Sequence, residues 1–311
     1  MVEQAPAVIA RGLQKSYADL NAVDGISFEI PRGVCFGFLG PNGAGKSTTM
    51  RMIYRATPVG GGALQVLGHD AASGKNDRAI KARIGVIHQE NNLDEELSVR
   101  ETLSVFCGFH GLHGDAAAKR VDELMAFASL TERADSNVRT LSGGMKRRLM
   151  VARGIVGDPE LVVLDEPTTG LDPRARQTLW EKLADLKRKK ATLILTTHYM
   201  DEAERLCDTI AVMDNGRIVA VGSPEALIET HAAPHVVEVD VASDVTLPDA
   251  LLKHSVVRFA DSFGGRQLLY TEHPESLLPD VVAALPHVRV LSRRGTLDDV
   301  FLRLTGNTLD A

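Results

Sequence analysis

Cysteine is scarce in this chain, and its placement excludes the usual cysteine-based sites. The 311 residues include only Cys35, Cys107 and Cys207, and no two of them form a C-x-x-C pair. An odd number of widely separated cysteines argues against a disulfide framework and against a zinc site. Their apolar neighbours predict reduced, buried thiols in a cytosolic protein.

Long apolar runs and an excess of positive charge are also lacking. No uninterrupted apolar stretch approaches the roughly 20 residues that span a bilayer. The first segment, MVEQAPAVIARG, lacks the basic start and apolar stretch of a secretory signal. We therefore expect a chain that is soluble by itself and reaches any membrane through a partner. The net charge of −6 gives no support for nucleic-acid binding, which usually requires a basic domain.

Short strands alternate with helical patterns through the first two thirds of the chain. Continuous apolar strands such as LVVLDEP and TLILTTH predict burial on both faces, as in a parallel sheet. Residues 92–158 are rich in helical periodicity and predict a helical insert. After residue 231, the alternating strand HVVEVDV and the helix TLDDVFLRLTG predict a second, small α+β domain over residues 232–311, with Thr296 and Asp299 at capping-box spacing.

A glycine-rich segment between a strand and a helix fits a phosphate-binding loop. GPNGAGKST follows the strand VCFGFLG with the spacing G-x-x-x-x-G-K-[ST], and a helix is predicted over Ser47–Arg55. Gly43 and Gly45 let the backbone turn its N–H groups toward phosphate oxygens. Lys46 brings a positive charge, Ser47 offers a hydroxyl to Mg²⁺, and the helix N-terminus adds its dipole. The predicted loop comprises Gly40, Pro41, Asn42, Gly43, Ala44, Gly45, Lys46, Ser47 and Thr48.

Four polar residues stand at the ends of predicted strands. In a doubly wound sheet, ligands sit at the carboxyl ends of strands. Asp165 is therefore placed to hold Mg²⁺ and Glu166 to polarise an attacking water. His198 can hydrogen-bond a γ-phosphate, and the amide of Gln89 can reach Mg²⁺ or its waters. Taken singly, these positions also fit an acidic turn, a structural histidine and a surface glutamine.

The segment LSGGMKRRL places Ser142, Gly143 and Gly144 at the start of a predicted helix, ahead of the strand that ends in Asp-Glu. Together with Gln89 and His198, in this order, the motifs resemble the nucleotide-binding subunit of an ATP-binding cassette (ABC) transporter over about residues 7–231. The resemblance implies an α/β P-loop NTPase core with a mainly parallel sheet, an antiparallel N-terminal β subdomain and the helical insert. It also implies ATP and Mg²⁺ as ligands.

The resemblance implies a role for each matching residue. Tyr17, in LQKSY, corresponds to the aromatic residue that stacks on adenine, and a core tyrosine is the alternative. Asp172, in TTGLD, lies in the loop that crosses to another subunit. The implied catalytic residues are Glu166, His198, Gln89 and Lys46. The implied metal ligands are Ser47, Gln89 and Asp165, and the implied ATP-binding residues are Tyr17, the phosphate loop, Ser142, Gly143, Gly144 and Asp172.

The subgroup resemblance is to ATPases of the ABC-2 export type, above all the nodulation lipo-oligosaccharide and daunorubicin-resistance exporters. LSGGMKRRL, DEPTTGLDPRAR, TTHYMDEAERLCD and the closing TLDDVFLRLTG carry it. It implies a homodimer that sandwiches ATP, a separate membrane permease, no nucleic-acid partner, and a peripheral position on the cytoplasmic face of the inner membrane. The C-terminal domain over residues 232–311 is compatible with dimerisation or regulation, and a packing appendage is the alternative. Two departures, Met145 for glutamine and His88 for proline, remove no phosphate contact.

Two other classes of function remain open at this point. One is a soluble ABC ATPase that acts on DNA or ribosomes, although the coiled-coil, zinc or second-cassette segments typical of that class are absent. The other is a phosphate-loop kinase, which gives no reason for LSGG or His198. Importers share every catalytic motif, so export rests on the subgroup resemblance. The cations Lys146, Arg147 and Arg148 are compatible with contact to solvent, a partner subunit or a permease.

Overall fold

The computed structural model describes residues 5–18, 20–241, 247–263 and 265–306. The strands are β1 Val8–Tyr17, β2 Leu20–Ile30, β3 Cys35–Leu39, β4 Gly61–Val66, β5 His69–Asp70, β6 Ile84–Ile87, β7 Leu161–Asp165, β8 Thr192–Thr197, β9 Thr209–Asp214, β10 Arg217–Gly222, β11 His235–Asp240, β12 Val257–Phe263, β13 Arg266–Thr271 and β14 Arg289–Arg294. The α-helices are α1 Lys46–Ile53, α2 Asp77–Lys81, α3 Val99–Phe109, α4 Gly114–Ala128, α5 Gly143–Gly154, α6 Pro173–Arg188, α7 Met200–Leu206, α8 Pro224–His231, α9 Asp249–Leu252, α10 Pro274–Ala284 and α11 Leu297–Thr305.

The chain divides into two compact units, Met1–Val221 and Gly222–Ala311. This division falls about ten residues before the predicted boundary at residue 231. The reason is that α8 packs against α11 and so belongs to the second unit. No periodicity in the sequence of α8 indicates which of the two units it joins.

A six-stranded sheet in the order β10-β9-β3-β8-β7-β6 forms the centre of the first unit. The strands from β9 to β6 pair in parallel, which confirms the predicted mainly parallel sheet. Every residue of β3 and β8 is buried. Because the strands are parallel, the carboxyl ends of β3, β7 and β8 lie at one edge. Asp165 ends β7 at this edge, and the phosphate loop and His198 follow β3 and β8.

The N-terminal strands form a separate antiparallel sheet in the order β2-β1-β4-β5. Phe28 of β2 packs edge-on against Phe38 of β3, with ring centroids 5.2 Å apart. One buried apolar cluster contains both side chains and extends to Met50 of α1. The two sheets and the helix that follows the phosphate loop therefore share a core.

The helical insert contains α3, α4 and α5, which pack on one another. A complete capping box begins α3, because Ser98 Oγ accepts from the Glu101 N–H and Glu101 accepts from the Ser98 N–H. Among the described residues, no helix is long and apolar enough to cross a membrane.

The second unit is built on an antiparallel sheet in the order β12-β13-β11-β14. The sequence HVVEVDV predicts a half-buried strand, but β11 is interior and covered on both faces, with Val236 and Val237 fully buried. On one face lies Asp299, which is 3% exposed; it accepts two hydrogen bonds from the Arg293 guanidinium, at 2.7 and 2.8 Å. Asp299 also completes the predicted capping box with Thr296.

Candidate functional site

The phosphate loop links β3 to α1 and is pressed between neighbouring backbone segments. Gly43 and Gly45 have φ angles of 83° and 97°, in the left-handed region that favours glycine. A Cβ on Gly45 would lie 2.3 Å from the carbonyl oxygen of Ala22. A Cβ on Gly40 would lie 2.3 Å from that of Met213. The loop therefore requires glycine for space as well as for conformation.

Lys46, the first residue of α1, folds back over the loop. Its side-chain nitrogen donates to the carbonyl oxygens of Gly40 and Pro41, at 2.5 and 2.9 Å. Burial lowers the pKa of Lys46, while the nearby carboxylates of Glu166 and Asp165 act in the opposite direction. The loop thus carries a preplaced ammonium group where phosphate oxygens are expected.

Ser47 and Asp165 meet across the sheet edge as a pair of oxygen ligands. Ser47 Oγ lies 3.5 Å from Asp165 Oδ1, which also accepts from Thr196 Oγ1 at 2.5 Å. Mg²⁺ prefers oxygen ligands and is often held by one or two carboxylates together with substrate phosphates. No group of three His, Cys, Asp or Glu among the described residues forms a metal site by itself. The pair therefore fits a Mg²⁺ ion that is shared with a nucleotide.

Glu166 is the point on which the other predicted catalytic side chains converge. Its Oε2 accepts from Gln89 Nε2 at 2.9 Å and from Thr169 Oγ1 at 3.1 Å. His198 Nδ1 lies 3.3 Å from the same oxygen. The structure thus brings Gln89 onto the carboxylate of Glu166, although the sequence predicts that this amide binds Mg²⁺.

The backbone of Glu166 is strained. Its φ of 44° lies in a region that a side chain other than glycine adopts at a cost on the order of 1–3 kcal/mol. The N–H of Glu166 is held by the adjacent strand β8, through the carbonyl oxygen and the hydroxyl of Thr196 at 3.1 and 3.2 Å. Such strain persists where the surroundings fix the backbone, and it is common at functional sites.

Ser142, Gly143 and Gly144 begin helix α5. Ser142 Oγ accepts from the Met145 N–H at 3.3 Å and caps the helix, with Ser142 and Gly143 exposed. A Cβ on Gly144 would lie 2.8 Å from the Cβ of Ala175 in the first turn of α6. Asp172 caps α6 by accepting from the Ala175 N–H at 3.0 Å. The two predicted loop motifs therefore meet where the helices they cap begin.

Tyr17 lies at the end of β1 and is 44% exposed, so it is not a core tyrosine. The side-chain nitrogen of Lys15 stands 5.2 Å from its ring centroid. An exposed ring beside the N-terminal sheet is compatible with stacking on a base. The remaining loop residues, Pro41, Asn42, Ala44 and Thr48, lie in the phosphate loop and the first turn of α1.

Two of the three cations after the signature glycines, Lys146 and Arg147, differ in their surroundings. Lys146 pairs with Glu95 at 2.7 Å on the surface of the chain. Arg147 is 6% exposed and points into its own chain, so contact with solvent is excluded for it. Burial lowers the pKa of Arg147 to about 10, although the nearby carboxylates of Glu202, Asp165 and Glu166 act in the opposite direction and raise this pKa.

Sequence reasoning missed Arg147, Thr169 and Thr196 as parts of the site. A signal existed for Arg147, because it stands three and four residues before Met150 and Val151, both buried in α5. A signal also existed for Thr196, which precedes His198 by two residues and is paired with Asp165 in the parallel register.

Comparison with known proteins matches both parts of the chain. The "ABC transporter" family model covers residues 23–169, and "Nodulation factor export protein NodI, C-terminal domain" covers residues 250–306. The "Nod factor export ATP-binding protein I" of Ralstonia nicotianae is 44% identical, over 99% of this chain and 96% of that protein. Its counterpart in a Rhizobium species is 44% identical, over 98% of each.

Solved structures agree in fold. A component of an ABC transporter complex, cbiO1 of Clostridium perfringens, is 28% identical with a TM-score of 0.68, over 73% of this chain and 92% of that one. A dimeric ATP-binding cassette bound to ADP and phosphate is 23% identical with a TM-score of 0.64, over 70% and 98% respectively.

Proposed function

This chain belongs to the ABC transporter family as the ATP-binding, ATP-hydrolysing subunit of an export transporter. On that premise, we propose a role for each residue of the site. One observation carries the proposal. The phosphate loop, Asp165 and Glu166 form one half of a nucleotide site, whereas Ser142 and Gly143 are exposed at the start of α5. A second copy of the chain supplies the missing half.

Within one copy, Lys46 and the loop N–H groups hold the phosphates of ATP, and Tyr17 stacks on the adenine. Ser47, Asp165 and the amide oxygen of Gln89 would hold Mg²⁺, which would neutralise charge that develops on the phosphates. Glu166 accepts a proton from the attacking water, since its carboxylate lies beside the loop and is oriented by hydrogen bonds from Gln89 and Thr169, with His198 Nδ1 3.3 Å away. His198 keeps that carboxylate in place and contacts the γ-phosphate.

Between two copies, ATP on Lys46 and Ser47 of one chain is covered by Ser142 and Gly144 of the other. N–H groups at a helix start form a ready anion site. ATP therefore favours the closed dimer, and hydrolysis releases it. Asp172, exposed ahead of α6, contacts the second copy near the same interface.

Mixing two inactive variants tests this shared site. Lys46→Ala removes the ammonium group that binds phosphate, and Ser142→Arg blocks the covering surface. Each variant alone should hydrolyse ATP at least about 100-fold more slowly than the unmodified chain. An equimolar mixture should regain up to about one quarter of the unmodified activity, because half of the dimers are mixed and each mixed dimer has one intact site. A mixture that stays as inactive as its parts would contradict the shared site.

The permease docks, in our proposal, on the helical insert. Val105 and Phe109 are 44% and 76% exposed and stand four residues apart on α3, so they form a neighbouring apolar pair on one face of the helix. Phe109 also lines a groove of about 1040 Å³ between the insert and α2. The loop after Gln89 leads into α3, so a change at Gln89 reaches the docking surface directly.

Phe109→Asp should therefore lower the amount of chain that sediments with membranes carrying the permease encoded beside it. We expect a decrease of about 10-fold, because an apolar side chain that docking would bury is replaced by a charge. The ATPase rate of the isolated chain should be unchanged. Val219→Asp is the matched control, because Val219 is 42% exposed and lies in β10. Equal loss with both variants would contradict docking on α3.

The direction of transport and the cellular position complete the proposal. Relatives that match nearly the whole chain are named for Nod factor export, which favours export over import and over action on DNA or ribosomes. We propose a peripheral position on the cytoplasmic face of the inner membrane, held there by the permease. The cargo is selected by the permease and not by this chain.

A further inference from the structure

The side chain of Arg147 uses all its donors on backbone carbonyls of two other segments. A guanidinium carries five N–H groups in a rigid fork. The acceptors are the carbonyl oxygens of His88, Gln89, Asp165, Glu166 and Pro167. Each of the five N–H groups therefore has a carbonyl acceptor. These hydrogen bonds, rather than an ion pair with a carboxylate, stabilise the buried guanidinium.

The acceptors belong to the two segments that carry Gln89 and Glu166. Nη1 donates to the carbonyls of His88 and Gln89, the latter at 3.2 Å, at the entry to the helical insert. Nη2 donates to Asp165 and Glu166 at 3.2 and 3.1 Å, at the end of β7. Arg147 itself lies in the second turn of α5, just after the signature residues. One side chain thus joins three parts of the site.

The strained backbone of Glu166 is held from both sides by these contacts. Thr196 holds the N–H of Glu166, and Arg147 holds its carbonyl oxygen. A residue with φ of 44° keeps that conformation only under such restraint. Arg147 is therefore joined to the backbone of the proposed base by one hydrogen bond, from Nη2 to the carbonyl oxygen of Glu166.

We infer that Arg147 is a positioning residue that relays the state of one ATP site to the signature segment of the same chain. In the function proposed above, the Gln89 amide contacts Mg²⁺ and Glu166 contacts the attacking water, so ATP binding changes the surroundings of both residues, which one hydrogen bond joins. Their carbonyls then shift, and the planar fork transmits the shift to α5 because its donors cannot move independently. The consequence for a second ATP site rests on the homodimer proposed above.

The relay within one chain is measurable without a dimer. At a protein concentration at which light scattering shows only the monomer, saturating ATP should slow amide hydrogen exchange at residues 145–149 by about 10-fold. The Arg147→Met variant should not show this slowing. Its ATP dissociation constant should change by less than about 3-fold, because in the described part of the chain no hydrogen bond joins Arg147 to the phosphate loop. Arg147→Lys keeps a buried cation and an aliphatic stem but lacks the fork, so it should also lose the slowing.

Arg120 provides a matched control on the other end of the same helix. Its Nε and Nη2 donate to the carbonyls of Val156 and Ile155 at 3.0 and 2.7 Å, where α5 ends. Arg120→Met removes an arginine that holds backbone carbonyls but that contacts neither Gln89 nor Glu166. It should lower stability and leave the ATP-dependent slowing at residues 145–149 intact.

Steady-state kinetics test the consequence in the dimer. At concentrations that allow two copies to associate, Arg147→Met should lower kcat by about 10- to 100-fold, as small misplacements of a catalytic group do. It should also lower the Hill coefficient for ATP from about two toward one, because coupling between the two sites is lost. Arg120→Met should keep the higher coefficient.

The outcomes separate the relay from the proposed dimer. ATP-dependent slowing that survives in both Arg147→Met and Arg147→Lys would overturn the relay, whatever the dimer does. Slowing that is lost in both arginine variants and kept in Arg120→Met supports it. A Hill coefficient of one in the unmodified chain, together with that exchange pattern, would count against the dimer and leave the relay standing.

Discussion

Glu166→Gln is expected to lower kcat for ATP hydrolysis by at least about 100-fold, while the chain continues to bind ATP. The amide has nearly the shape of the carboxylate and keeps hydrogen-bonding capacity toward Gln89, Thr169 and His198. It cannot accept the proton of an attacking water. Lys46 and Ser47, which bind nucleotide in our proposal, are unchanged. The variant should therefore accumulate as an ATP-bound closed dimer, visible as a doubled mass in size-exclusion chromatography with light scattering.

The same strand provides a control carboxylate. Glu160 immediately precedes β7 and Glu166 immediately follows it. Hydrogen bonds from Arg83, with those from Arg32, lower the pKa of Glu160 to about 2. Glu160→Gln should reduce stability by about 1 kcal/mol or less, because the side chain is 42% exposed and water screens its ion pairs. Its kcat should equal that of the unmodified chain.

Two results would contradict the assignment of Glu166. A normal rate in Glu166→Gln would show that another group accepts the proton. A rate lost equally in Glu160→Gln and Glu166→Gln would show that the integrity of β7, rather than the carboxylate at its end, limits hydrolysis.

The sequence alone predicts those parts of the site whose positions follow from the order of the strands. Buried apolar runs predict parallel strands, and parallel strands bring their carboxyl ends to one edge. The phosphate loop, Asp165 and His198 lie at that edge because each ends or directly follows such a strand. The glycines of the loop are also predictable, since their spacing anticipates the positive φ of Gly43 and Gly45.

Contacts between distant segments are not predictable from local patterns. Arg147 bonds carbonyls 58 and 19 positions away, at Gln89 and Glu166. A charged residue on a helix usually faces solvent, so burial of this arginine depends on acceptors that only the folded chain brings together. The division between the units has the same origin, because α8 is assigned by its packing on α11 rather than by its own sequence.

Gly45→Ala is expected to weaken ATP binding by about 100-fold. The new Cβ would lie 2.3 Å from the carbonyl oxygen of Ala22, which is backbone and cannot rotate away. The φ of 97° adds a strain that side chains do not tolerate. The loop must then move, and the loss of two hydrogen bonds to charged phosphate oxygens at about 1.5 kcal/mol each accounts for about 3 kcal/mol, or roughly 100-fold in affinity.

Gly43→Ala separates the two causes of this loss. Gly43 has a φ of 83°, but a Cβ on it would meet nothing within 4 Å. It carries the conformational strain without the clash and should weaken ATP binding by about 10-fold or less. Isothermal titration of both variants, with thermal melting to verify that each is folded, measures the difference. Equal losses would mean that backbone conformation alone explains the requirement for glycine, whereas a tenfold gap assigns the larger share to the close approach of Ala22.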